Sequence, residues 1–130
     1  MLAAWIPGIL WAAVLYAQED IYRLEHIEIF GRLRRAPVMF DHQNHMDALD
    51  AQGCGVCHHS SDPQTGKAVY VEGEEDSCLA CHGKTAGNGL PALREAYHGS
   101  CTSCHRAMGW DARATTGPTT CGECHRPAAP

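Results

Sequence analysis

The sequence predicts a small fold of short helices, irregular loops and one short β-ribbon, with little core made of side chains. The 130 residues include 13 Gly and only two Phe, so few large apolar side chains are present to fill an interior. Beyond residue 59 the chain also shows hardly any sustained apolar periodicity of helix or strand type. A third observation, the placement of the cysteines, indicates what replaces the missing core.

All eight cysteines fall into four Cys-x-x-Cys-His motifs, at residues 54–58, 78–82, 101–105 and 121–125. A disulfide framework needs no histidine after each cysteine pair, and neither does a set of cysteine-based zinc sites. The motif is the attachment signature of c-type haem. Residues i, i+3 and i+4 share one face of a helical turn, so two thiols can bond the haem vinyl groups while the histidine ligates the iron.

Four covalently attached haems would supply the core that the side chains do not. Each porphyrin is a large apolar plate that packs against short loops and helical turns, as metals and disulfides stabilise other small domains. We therefore expect one compact tetrahaem cytochrome domain over residues 38–130, low in regular secondary structure, and a largely unfolded apoprotein.

Residues 2–17 form an uncharged apolar run of 16 residues, which is shorter than the span of about 20 that crosses a bilayer. The run predicts a secretory signal peptide with cleavage after Ala17. Such a signal implies export to the periplasm. The alternative is an uncleaved N-terminal anchor and membrane association.

Residues 18–37 predict an N-terminal arm or a short amphipathic helix, because three apolar residues are close to helical spacing. These are Ile21, Leu24 and Ile27. Gly31 and Pro37 end the element. The basic cluster Arg32, Arg34 and Arg35 faces a membrane or an acidic partner, or is simply a solvated charge run.

Three further elements follow from local patterns. Residues 37–40 and 68–71 have the apolar, β-rich character of short strands and are expected to pair as the ribbon. Residues 90–99 predict a helix that begins near Pro91 and ends at Gly99. Residues 115–120 predict a turn before the last motif.

Five histidines lie outside the motifs, and each haem iron needs a sixth ligand. They are His26, His42, His45, His59 and His98. His26 is interpreted as a surface or packing residue. Met46 and Met108 are also interpreted as packing residues, because enough histidines are present to make thioether ligands unnecessary.

The order of these residues resembles the class III c-type cytochromes, the tetrahaem cytochromes c₃ of sulfate-reducing bacteria. The resemblance runs from about Val38 to His125 and includes Phe-x-His-x-x-His, Cys-x-x-Cys-His-His and Tyr-His before the third motif. It implies a cytochrome c₃-like fold packed around four haems whose irons are each bound by two histidines.

The resemblance also assigns attachment and ligand residues to each haem. Haem 1 takes Cys54 and Cys57 with His58 and His42; haem 2 takes Cys78 and Cys81 with His82 and His59; haem 3 takes Cys101 and Cys104 with His105 and His45; haem 4 takes Cys121 and Cys124 with His125 and His98. The adjacent His58 and His59 would therefore serve two neighbouring haems.

A full set of bis-histidine irons leaves no catalytic position, so the resemblance implies an electron carrier rather than an enzyme, with low reduction potentials. Many family members are lysine-rich around haem 4, whereas this chain has two lysines and a formal net charge of −5. The acidic residues 72–76 make it similar to the acidic type II subgroup, whose members resemble subunits of transmembrane redox complexes.

The implied partners are hydrogenase, formate dehydrogenase or a basic type I cytochrome c₃ as donor, and a membrane redox complex as acceptor in sulfate-type respiration. The acidic cluster is expected either to dock a basic partner or to be a solvated loop. The alternatives are a membrane-anchored tetrahaem quinol dehydrogenase and a multihaem reductase. Nucleic-acid binding is excluded by the acidic balance and the lack of a basic stripe.

Overall fold

The computed structural model describes residues 21–50, 53–109 and 117–127. The predicted signal peptide or anchor lies outside them, as does part of the turn predicted at residues 115–120. In chain order the elements are β1 (Ile21–Leu24), α1 (Ile27–Phe30), β2 (Val38–Asp41), α2 (His42–Leu49), a 3₁₀ turn (Cys54–Val56), β3 (Ser60–Ser61), β4 (Ala68–Val69), a second 3₁₀ turn (Cys78–Ala80), α3 (Leu93–Met108) and α4 (Cys121–Cys124).

The described part of this segment contains a β-strand and a single helical turn, so of the two predicted alternatives, an arm or a short amphipathic helix, the helix is wrong. Strand β1 pairs antiparallel with β2, with Tyr22 opposite Phe40 and Leu24 opposite Val38. Ile and Tyr favour a strand, and a short apolar pattern does not distinguish the two structures. The arm therefore becomes one edge of a two-stranded sheet.

The ribbon expected between residues 37–40 and 68–71 is also wrong, although both segments contain a strand. Strand β4 pairs with β3, Ser60 opposite Val69 and Ser61 opposite Ala68. The intervening turn is closed by the Asp62 side chain, which accepts hydrogen bonds from the Gln64 and Thr65 amides. Each strand has thus found a partner other than the one expected from its apolar character.

Helix α2 begins where β2 ends. The Asp41 carboxylate accepts a hydrogen bond from the Asn44 amide at 2.9 Å, which satisfies one of the amides at the start of the helix. Strand β2 and α2 are therefore one continuous unit, with two of the candidate ligand histidines on the helix.

Helix α3 is the longest described element and does not end at Gly99 as expected. It runs on through the third Cys-x-x-Cys-His motif to Met108. A glycine inside a helix costs about 1 kcal/mol relative to alanine, and α3 tolerates it because it is anchored at its start. Leu93 there is fully buried, and its amide donates a hydrogen bond to the Gly83 carbonyl.

The side-chain core is as small as the composition predicts. Among the described residues only Ala92, Leu93 and His82 are buried. Large apolar side chains are exposed elsewhere, for example Met39 at 60% and Ile21 at 51%. None of the helices in the described part of the chain has the length and apolar character that a membrane crossing needs.

Candidate haem-binding site

Each Cys-x-x-Cys-His motif adopts one turn of helix. The amide of the motif histidine donates to the carbonyl of the first cysteine at 2.9 Å in the first, second and fourth motifs, and the third motif lies inside α3. A turn of this kind puts both cysteines and the histidine on the same side of the backbone. None of the eight cysteines forms a disulfide.

The cysteines of different motifs lie close to one another. Burial raises the pKa of the Cys57 thiol above its ordinary value, and the neighbouring Cys104 and Cys78 raise it further. Burial likewise raises the pKa of Cys101, followed by the effect of Cys57 and then by that of Cys124 in the fourth motif. The four motifs therefore converge on a shared interior and are not spread over the surface.

Each motif histidine faces one of the histidines outside the motifs. The separations between ring centroids are 6.2 Å for His42 and His58, 6.1 Å for His59 and His82, 6.1 Å for His45 and His105, and 6.2 Å for His98 and His125. These are the pairs that the family resemblance implies. His58 and His59 are adjacent in the chain and face different partners.

The common separation is the one that a metal ion between two imidazoles requires. An imidazole nitrogen binds a metal at about 2 Å and lies about 1 Å from its own ring centre, so rings on opposite sides of one metal have centroids about 6 Å apart. Direct stacking of two rings would bring them closer. The four pairs thus fit iron bound by two histidines, and the cysteines of each motif would hold the porphyrin.

The motif histidines are oriented by hydrogen bonds from Nδ1 to backbone carbonyls. The distances are 3.3 Å from His58 to Asp76, 2.9 Å from His82 to Pro91, 2.7 Å from His105 to Pro118 and 2.6 Å from His125 to Ala36. A carbonyl oxygen only accepts, so Nδ1 carries the proton. Nε2 is then left with a free lone pair, the state that binds a metal.

His45 is the one partner histidine that makes a similar bond within the described residues. Its Nδ1 donates to the Asp41 carbonyl at 2.7 Å. The rings of His45 and His105 are inclined at 33°, whereas the other three pairs are inclined at 75° to 85°. One pair therefore has both rings fixed by backbone bonds and has a different relative orientation.

Two aromatic residues contact the histidines of α2 and were not anticipated from the sequence. The Phe40 ring centroid lies 4.5 Å from that of His45, and the Tyr22 ring meets His42 edge-on at 5.7 Å. Tyr22 and Phe40 are cross-strand partners. The sequence carries no signal that pairs residues 21–24 with residues 38–41, so this pair of rings could not be found from it.

Gly117 is a further residue that sequence reasoning missed. A Cβ atom at this position would lie 2.4 to 2.5 Å from the His105 ring, well inside contact distance. The only local signal is the Gly-Pro step, because the next residue, Pro118, accepts the His105 hydrogen bond. An open cleft of about 550 Å³ lies beside His105 and is lined by Arg106 and Arg126, which suit a group with carboxylates.

Met108 lies in the place expected for a packing residue, with its sulfur 3.9 Å from Sγ of Cys104, and Met46 is 48% exposed. His26 packs on Tyr97. Iron ligation by the paired histidines and haem attachment by the motif cysteines stay predictions.

Cysteine pairs followed by histidine on one helical turn, each histidine facing a second at metal-ligand spacing, define a c-type cytochrome. Comparison with known proteins gives the family. The model of the class III cytochrome c family matches residues 22–125. The chain belongs to this family, whose members are electron carriers that bind c-type haem.

Two curated relatives and one solved structure show how the chain compares with known members. Cytochrome c3 of Maridesulfovibrio salexigens is 39% identical over 99 residues, which cover 73% of this chain and 83% of the relative. The high-molecular-weight cytochrome c of Nitratidesulfovibrio vulgaris (strain Hildenborough) is 44% identical over 78 residues, 60% of this chain but only 14% of that protein.

The crystal structure of the high-molecular-weight cytochrome c of Desulfovibrio vulgaris (Miyazaki F) superposes with a TM-score of 0.54 at 20% identity. It covers 93% of this chain, and this chain spans 44% of that structure. The likeness shows the fold, and it confirms the predicted cytochrome c₃-like arrangement of short helices and short antiparallel ribbons.

Proposed function

We propose that the protein is a tetrahaem electron carrier in which each of four irons is bound by one motif histidine and one partner histidine. The observation that supports it best is the set of four histidine pairs with a common ring separation of 6.1 to 6.2 Å. Each pair includes the histidine of a different Cys-x-x-Cys-His motif.

The proposed ligand sets are His42 with His58, His59 with His82, His45 with His105, and His98 with His125. Haem c bound in this way accepts and releases one electron per iron. Two histidines at each iron would exclude substrate and water from direct coordination, so electron transfer would need no bond to a substrate. We therefore propose a carrier and not an enzyme.

Two features of the chain would lower the reduction potential of the haem irons. Histidine in place of methionine lowers the potential of a haem iron. A carbonyl that accepts the Nδ1 proton raises the basicity of the ligand nitrogen and fixes the ring, as for His82 on Pro91 and His105 on Pro118. Both effects favour the ferric state, so the protein is a low-potential carrier.

The small side-chain core supports the same proposal. Leu93 and Ala92 are the buried apolar residues in the described chain, too few to offset the conformational entropy of about 100 ordered residues. Four large planar groups that pack between the motifs would bury the remaining apolar surface. We expect the protein without them to be largely unfolded.

The proposed site of action is the periplasm, between a donor such as hydrogenase, formate dehydrogenase or a basic type I cytochrome c₃ and a membrane redox complex. The acidic residues Glu72, Glu74, Glu75 and Asp76 are exposed. They lie at the first motif, since the Asp76 carbonyl accepts the His58 bond and Glu74 accepts one from Ser60. A basic partner would be steered toward this motif.

Docking is tested by the rate at which a basic type I cytochrome c₃ reduces the protein at low salt. Replacing the four acidic residues by their amides should slow this reaction several-fold and reduce its salt dependence. The control removes Asp47 and Glu95 instead, two exposed acids outside residues 72–76. Equal rates for both variants would show that residues 72–76 are a solvated loop.

The first experiment on the carrier itself is a haem count with the optical spectrum of the reduced protein, with and without carbon monoxide. Four haems per chain and no spectral change are expected. Carbon monoxide binding by the native protein would reveal an open iron and favour a multihaem reductase. Retention of residues 2–17 in mature protein found in the membrane fraction would favour the anchored quinol dehydrogenase.

A further inference from the structure

Two of the four motifs continue with an arginine directly after the histidine. The third motif reads Cys-Thr-Ser-Cys-His-Arg and the fourth reads Cys-Gly-Glu-Cys-His-Arg, so Arg106 and Arg126 occupy equivalent positions. The first and second motifs continue with His59 and Gly83 instead. The proposed function makes His59 an iron ligand but assigns nothing to the two arginines.

The fold brings both arginines to one cleft, although they belong to different motifs. The cleft has a volume of about 550 Å³, and its lining includes His105, Arg106, Pro118 and Arg126. The Nδ1 atom of His105 donates to the Pro118 carbonyl at 2.7 Å, which joins the segment before α4 to the third motif. Arg126 of the fourth motif therefore lies beside the proposed ligand of a different haem.

The guanidinium of Arg126 is held by the helix that precedes it. Its Nε atom donates to the Glu123 carbonyl at 2.9 Å. A guanidinium is a planar fork of N–H donors, so this bond restricts the orientation of the whole group. The two terminal nitrogens can still bind a carboxylate as a pair, the geometry in which arginine binds carboxylates most strongly.

One carboxylate lines the cleft as well, but its hydrogen bonds are used elsewhere. The Glu123 Oε2 atom accepts from the Thr119 and Thr120 amides at 3.1 and 2.9 Å and from the Thr120 hydroxyl at 2.8 Å. These bonds cap the start of α4. Two arginines against one carboxylate leave the described lining with a net positive charge, which favours an anionic ligand.

We propose that Arg106 and Arg126 together bind the propionate carboxylates of haem 3, the haem attached at Cys101 and Cys104 whose proposed ligand His105 lines the cleft. This inference rests on the proposed function. It assigns a ligand to two residues that neither attach haem nor bind iron. Once the vinyl groups of a haem are bonded to cysteine, its propionates are the anionic groups that remain for the protein to bind.

Positive charge at the propionates favours an extra electron on the same haem. Reduction adds one negative charge, and the two guanidiniums offset part of it. Haem 3 is therefore expected to hold its electron more tightly than it would without them. Because Arg106 and Arg126 are both exposed, water screens each ion pair and the effect of one arginine is modest.

The first test measures the potential of each haem in the holoprotein by NMR-monitored redox titration. Arg106→Gln and Arg126→Gln should each weaken electron binding by haem 3 roughly two- to fivefold, and the double variant should weaken it more. Arg106→Lys and Arg126→Lys keep the charge but not the planar fork, so each should restore part of the loss. Arg94→Gln, the same charge change on the same helix but outside the cleft, is the matched control and should leave haem 3 unchanged.

The second test uses the native protein and identifies the anion. The propionate carboxyls are labelled with ¹³C through δ-aminolaevulinate, the guanidiniums are labelled with ¹⁵N, and the reduced, diamagnetic protein is observed by NMR. The guanidinium protons of Arg106 and Arg126 should transfer magnetisation to a labelled carboxyl of haem 3, and added inorganic phosphate should leave their signals in place. A saturable shift with phosphate would mean that the cleft binds a dissolved anion, which overturns the assignment to haem.

The proposal is also overturned if both glutamine variants leave haem 3 unchanged, or if they shift the haem attached at Cys121 and Cys124 instead. A role in folding alone would lower the melting temperature of a variant and leave the four potentials as in the native protein. The same samples report on the proposed function separately. A haem count below four or carbon monoxide binding by the native protein contradicts the tetrahaem carrier, whereas an unchanged haem 3 with four closed irons contradicts the role of the arginines alone.

Discussion

The pairs His45–His105 and His59–His82 have the same ring separation but are constrained differently. In the first, both rings donate Nδ1 to a backbone carbonyl, that of Asp41 and that of Pro118. In the second, only His82 does so within the described chain, and His59 is exposed. The separation of the two rings in a pair is thus set by the fold, whereas their relative orientation depends on which hydrogen bonds each imidazole makes.

The largest expected effect on stability and iron coordination comes from a substitution that crowds the His45–His105 pair. In Gly117→Ala the new methyl group would overlap the His105 ring, so the ring must move and its bond to Pro118 is lost. We expect a loss of about 1 to 3 kcal/mol in the free energy of unfolding, and carbon monoxide binding at one iron. Both are measured on the holoprotein by thermal melting and optical titration.

Gly122→Ala is the matched control, because no heavy atom outside its own helical turn and its chain neighbours lies within 4 Å of the added Cβ. It should bind no carbon monoxide. If Gly117→Ala also keeps four closed irons, then His105 is not confined as its surroundings indicate.

Replacing one histidine of each pair by methionine sharpens the comparison. His45→Met and His59→Met should each raise the potential of a single haem, on the order of 0.1 V, because the axial ligand is the main determinant of potential. The rise should be larger for His45→Met, which also removes a ligand made more basic by its bond to Asp41. NMR-monitored redox titration assigns the shift to a haem.

Met46→Leu, at an exposed position on the helix that bears His45, is the control and should leave all four potentials in place. Equal shifts in the two histidine variants would mean that the Asp41 bond contributes nothing to the potential.

A smaller effect is expected from the ring that packs on His45. Phe40→Leu removes the aromatic contact at 4.5 Å and should cost about 1 kcal/mol in stability. The ligand angle of this pair should drift from 33°, which changes the low-spin ferric signal of one haem in electron paramagnetic resonance. A spectrum identical to that of the native protein would show that the Asp41 bond alone orients His45.

The smallest expected change in stability comes from removing the side chain of Asp41, which caps the start of α2. Asp41→Ala keeps the carbonyl that accepts the His45 bond but removes the carboxylate that accepts from Asn44, at a cost of about 1 kcal/mol. The amide of Asn44 should lose protection from hydrogen exchange. Asp47→Ala, which removes only an exposed bond from Gln43, should change neither stability nor exchange.

The sequence predicted the fold class, the family and the haem cofactor better than it predicted how the strands pair. The Cys-x-x-Cys-His motifs are local, because a single helical turn brings their residues together. The number and order of the remaining histidines, compared with the family pattern, then predicted which histidine pairs with each motif histidine. The fold, the family and the haem cofactor are confirmed; the individual ligands stay predictions.

Features that depend on distant contacts were predicted less well. Nothing in residues 21–24 indicates that their partner is β2, and β4 pairs with the nearby Ser60–Ser61, which has no apolar pattern. Helix α3 passes Gly99 because buried Leu93 anchors it, an effect of packing that propensity does not include. The contact between His26 and Tyr97 belongs to the same class.

The hydrogen bond from His125 to Ala36 spans 89 positions and joins the last motif to the segment that precedes β2. The shortest fragment that could fold and acquire its haems is therefore longer than the segment that contains the four motifs. A fragment that starts at residue 38 would contain every cysteine yet lack the carbonyl that orients His125. A graft into a longer multihaem array should include the whole arm from residue 21 onward.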